Sequence, residues 1–175
     1  MTEFASETVV NCRRMFDSAM DRIHDADILS TQIWVRTDAA SLLKILGLEI
    51  LLKCAVRFED GNYRQGHKYA ALWQTLSPSS RERVIAEAEN RFTTHFSAQD
   101  VEAALPNWQK VFCKGRYEYE EFENGALIVD LDHAIENKDP VEGAFSYFPN
   151  ELQGLLFGLR IILEEQLGVK HDLSY

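Results

Sequence analysis

The chain has 175 residues, 46% hydrophobic and 26% charged, a composition that suits one globular domain and argues against disorder outside the termini. Twenty-eight acids against 18 bases leave a net charge of −10, a field that repels nucleic acid at long range and argues against a plain DNA- or RNA-binding surface. The three cysteines, Cys12, Cys54 and Cys113, form no C-x-x-C pair, so a disulfide framework is not expected and a reducing cytoplasm fits.

Met1-Thr2-Glu3-Phe4 lacks a basic region followed by an apolar run, so no signal peptide is expected. Val9, Cys12, Phe16, Ala19, Met20 and Ile23 recur at three- and four-residue steps and predict a first helix over about 6–24, with Ser6 as its cap. Asp25 and Asp27 after His24 read as its solvated end. The next helix, about 39–58, is apolar nearly all round. Glu49, Lys53 and Arg57 form its one narrow polar stripe at i, i+4 and i+8, and Glu49 precedes Lys53 in the favourable order for a pair. So little polar surface requires neighbours on every side, at the centre of a bundle or at a dimer interface. Lys44 and the stripe also make Leu42–Phe58 too charged and too short to span a membrane.

A polar loop over 59–66 leads to His67, which opens a short helix with Tyr69, Leu72, Trp73 and Leu76 facing inward. Ser77-Pro78 reads as a cap followed by proline at the first helical position. Val84, Ile85, Ala88, Phe92 and Phe96 form the stripe of the helix it starts. Ser97-Ala98-Gln99-Asp100 resembles a capping box before a short helix ended by Pro106, and Trp108, Val111 and Phe112 resume helical phase up to Lys114-Gly115. Asn124-Gly125 signals a turn, and 126–136 reads as helix. Pro149-Asn150 starts a final helix with a leucine-rich stripe from Leu152 to Leu167, ending at Gly168, and its Gly154 and Gly158 admit close approach of another backbone. The predicted fold is all-α: one domain over 1–175, core about 6–167, built as a four- to five-helix bundle with short accessory helices.

The densest chemistry is Arg116-Tyr117-Glu118-Tyr119-Glu120. Arg116 can fork onto phosphate or carboxylate, with Tyr117, Tyr119 and Glu120 as binding groups; an internal Arg–Glu–Tyr network is the competing reading. His67 is a candidate general acid or base, or else a hydrogen-bonding partner of a neighbouring helix. Arg91 and His95 share a helix face, as a displaced catalytic pair or an ordinary polar face. Asp21-x-x-His24 and Asp130-x-x-His133 suggest a dinuclear metal bundle, but the further glutamates that such a centre uses have no evident place. Neither a metal nor a cofactor is expected.

The order of a leucine-rich helix, a loop, Gly66-His67 followed by helix, and later Trp108, Phe112 and Arg116-Tyr117-Glu118-Tyr119-Glu120 resembles the HEPN superfamily across about 36–167. That resemblance implies a small helical bundle, often a homodimer and mainly prokaryotic. It implies one of two roles: a metal-independent ribonuclease of stress or defence systems, or a binding and assembly module. Catalytic members carry an Arg, four to six residues and a His. Here Arg91 and His95 are separated by three residues, Arg64 and His67 by two, and Arg116 meets no histidine before His133. The expectation is therefore a cytoplasmic, homodimeric binding or assembly module with a protein, RNA or nucleotide partner. The alternatives are a divergent ribonuclease, with Arg116 and His67, or else His95, as its catalytic groups, and a metal-binding bundle.

Overall fold

In the computed structural model, residues 3–31, 39–91, 98–114 and 149–170 are described. They form α1 (Glu3–Thr31), α2 (Ala39–Asp60), the short α3 (Tyr69–Thr75), α4 (Pro78–Arg91), α5 (Ala98–Lys114) and α6 (Pro149–Leu167). The fold is an all-α helical bundle, with no strand among the described residues.

α2 is the central helix. Its surface is apolar but for the Glu49–Lys53–Arg57 stripe, and it packs against α1, α3, α5 and α6. Ile45, Leu48, Leu51, Leu52, Cys54 and Val56 are all buried around it. α1 runs antiparallel to α2: Asp27 pairs with Lys44 at 2.9 Å near one end, and Cys12 meets Cys54 near the other. Between them Gly47 lets α1 pack close, since a β-carbon there would lie 2.8 Å from the Ile23 side chain and 3.4 Å from the Ala19 carbonyl.

α1 is longer than its periodicity predicts. It begins before Ser6, the expected cap, and continues beyond Asp25 and Asp27 to Thr31. Tertiary contacts hold the turn that carries Asp25 and Asp27: Ala26 is buried, and Asp27 is committed to Lys44 on α2. α5 also departs from expectation, because Pro106 lies within it and does not end it. Val101, Ala104, Leu105, Trp108 and Phe112 make an unbroken buried stripe, whereas Pro106 falls on the exposed side. Packing on one face thus outweighs the backbone bond that proline removes on the other.

Ser77 caps α4 as expected, its Oγ accepting from Ser80 N at 3.2 Å. α4 lies across α6, where a β-carbon on Gly158 would run into the Val84 carbonyl. α6 closes with Val169 N donating to Glu164 O at 3.1 Å. Arg13 of α1 caps the same end, its Nη2 donating to Leu167 O at 2.8 Å, where the helix dipole favours a cation. Phe92 and Phe96 lie outside the described residues.

Candidate functional site

The stripe Glu49, Lys53 and Arg57 organises the polar chemistry of the described residues. In sequence it reads as the wet edge of α2; in the fold Glu49 is only 3% exposed. A carboxylate so placed stays ionised only if donors replace the lost water. Lys53 Nζ, one turn along, donates to Glu49 Oε1 at 2.7 Å. Tyr69, at the start of α3, donates its hydroxyl to Oε2 at 3.0 Å. His67 Nδ1 lies 2.9 Å from Oε2 and 3.0 Å from Oε1. Burial pushes the Glu49 carboxyl up, but the Lys53, His67 and Tyr69 hydrogen bonds, with the lysine's charge, hold it below the usual carboxylate range.

The loop before α3 delivers His67 to this carboxylate. Gly66, with φ of +83°, makes a turn that side-chain-bearing residues rarely adopt. Phe112 of α5 then packs at 5.2 Å from the imidazole and 6.4 Å from the Tyr69 ring. An ionised carboxylate only accepts hydrogen bonds, so His67 Nδ1 is the donor and neutral His67 keeps Nε2 as its acceptor. The His67 side chain is 47% exposed, which leaves this edge within reach of solvent.

On the other side of Glu49 and Lys53, α1 and α2 enclose a groove of about 350 Å³. α1 contributes Asn11, Arg14, Met15 and Ser18, one helical face beside its core stripe. α2 contributes Glu49, Ile50, Lys53 and Arg57, and Tyr63 from the following loop stands at the edge, 59% exposed. Three cations and one carboxylate therefore share the groove, and that carboxylate is already bonded to Lys53. Arg57 Nε is buried without a hydrogen-bond partner among the described residues.

Behind the groove, Cys54 Sγ donates to Cys12 O at 3.2 Å and Cys12 Sγ to Cys54 O at 3.8 Å. These are buried free thiols, and the bond with Cys12 together with burial raises the Cys54 pKa. No three His, Cys, Asp or Glu side chains converge as metal ligands among the described residues, and Asp21 and His24 are exposed on α1.

Of the residues singled out in sequence, the structure places His67 against Glu49. Arg116, Tyr117, Tyr119 and Glu120 lie outside the described residues, as do His95, Asp130 and His133. Arg91 is exposed, its guanidinium 5.8 Å from the centre of the Phe157 ring. Sequence reasoning found the Glu49–Lys53 pair but missed Glu49 as the meeting point of His67 and Tyr69, 18 and 20 positions away. It also passed over Arg14 and Tyr63, whose only signal is that Arg14 shares a polar face with Asn11 and Ser18. The chain matches no protein-family model, no curated protein and no solved structure.

Proposed function

We propose that this chain is a HEPN-like helical module that binds or assembles with a partner in a prokaryotic stress or defence system. The observation that carries this reading is the groove between α1 and α2. On a chain of net charge −10 it gathers Arg14, Lys53 and Arg57, a local reversal of sign that suits docking of an anionic group. The spacing of the Arg and His residues, which lacks the superfamily's nuclease signature, also favours binding over catalysis. The working unit in this proposal is a cytoplasmic homodimer whose partner is RNA, a nucleotide or another protein. No helix among the described residues is long and apolar enough to cross a membrane.

A second reading, a divergent metal-independent endoribonuclease, draws on the Glu49–His67 bond. A carboxylate on Nδ1 orients an imidazole and leaves Nε2 to take the proton of a ribose 2′-hydroxyl, with Arg116 steadying the phosphate. A metal-free cleavage assay over varied RNAs, with light scattering for mass, decides between the two. The binding module leaves every RNA intact as a dimer. Cleavage that disappears in both His67→Ala and Arg116→Ala overturns it in favour of the nuclease.

A further inference from the structure

We propose that the α1–α2 groove is a site for a small phosphate monoester, an inference that rests on the binding-module reading and names the chemistry of its ligand. Arg57 and Arg14 hold the phosphate. Lys53 completes the positive field, while Met15, Ile50 and Tyr63 receive the organic part.

Three observations lead to this ligand. The first is the orphaned donor on Arg57. A buried N–H without an acceptor is costly, and turning the Arg57 side chain toward the groove it lines would relieve that cost, because a guanidinium fork fits two oxygens of a tetrahedral anion. The neighbouring thiols do not satisfy it: each hydrogen-bonds the other's backbone carbonyl, and neither sulfur bonds Arg57 Nε. The second is the accounting of charge. Lys53 is held by Glu49, but Arg14 and Arg57 make no ion pair among the described residues, so two guanidinium groups face the groove uncommitted. A dianion matches two free cations better than a lone carboxylate does.

The third is size and lining. A groove of about 350 Å³ falls at the small end of ligand sites and suits a compact molecule rather than a folded partner. Its apolar Met15 and Ile50, with the exposed ring of Tyr63, offer contacts that inorganic phosphate does not use. The organic part is either a sugar alone or a sugar with a planar base; both share the phosphate chemistry of the site.

The test is calorimetric titration of the full chain with inorganic phosphate, ribose 5-phosphate and adenosine 5′-monophosphate. At least one ester should bind more tightly than inorganic phosphate, and its affinity should fall as salt rises. Arg14→Gln removes an exposed side chain and threatens the fold little; it should weaken the ester about tenfold or more. Arg57→Lys keeps the charge but loses the fork and should weaken it similarly. Arg83→Gln, which loses an exposed pair with Glu165 outside the groove, should leave ester binding unchanged. Tighter binding of the base-bearing ester, lost in Tyr63→Ala, assigns the ring to base stacking, whereas equal esters assign the site to the sugar phosphate. Failure of both esters to bind, equal binding of inorganic phosphate, or indifference to Arg14→Gln and Arg57→Lys would each overturn the assignment. An RNA that still associates when neither ester binds would overturn it too, while leaving the binding-module reading standing.

Discussion

Replacing Glu49 by Gln removes one charge from the bundle with almost no change of shape. The amide oxygen still accepts from Tyr69 and His67, but Lys53, with a side chain only 12% exposed, loses its counter-ion. Deleting one partner of a buried pair costs about 3–5 kcal/mol, and the retained hydrogen bonds bring the expected loss to about 2 kcal/mol. For a chain of this size that lowers Tm by about 4–8 °C. The loss depends on pH in a defined direction. The folded carboxyl has a lowered pKa, so folding favours its ionised form. That stabilisation is complete above the unfolded value of about 4.3 and is lost as pH falls through the folded pKa. Urea denaturation of wild type and Glu49→Gln at pH 7 should therefore show the full gap, which narrows once the pH drops below about 4. A second substitution, Lys53→Met, should recover part of the loss by removing the stranded ammonium. Equal stability at pH 7, or a gap that persists unchanged in acid, would refute the picture of an ionised, buried Glu49.

Three further substitutions test the frame that holds the site. Gly158→Ala should destabilise by about 2 kcal/mol in urea titrations, because the clash with the Val84 carbonyl outweighs the gain in helix propensity. Pro106→Ala should act in the opposite direction and stabilise by about 1–3 kcal/mol, since it restores a backbone donor on the exposed side of α5 without touching the buried stripe. Ser77→Ala should cost about 1 kcal/mol through loss of the cap on Ser80 N, and hydrogen exchange should locate the change in the first turn of α4.

The functional chemistry is harder to read from the chain than the helices are. Glu49 and Lys53 are one turn apart, so their pairing follows from helix geometry and is legible in the sequence. His67 could be singled out as a residue but not assigned a partner, because the turn at Gly66 and the packing of α3 on α2 decide what its Nδ1 meets. The groove is less legible still. Arg14 and Arg57 are 43 positions apart and become neighbours only because α1 folds back along α2.

By itself, the sequence determined the helical class, the nearly all-round apolar character of α2, the cap at Ser77 and the leucine stripe of α6. These depend on local periodicity and capping, which act within a few residues of one another. Only tertiary structure decided that α1 carries on through Asp27, that α5 passes through Pro106, and that His67 and Tyr69 close over Glu49. In each case a contact between elements outweighs a local preference, and the free energy of such a contact is set by what lies opposite in space, which no window of neighbouring residues contains.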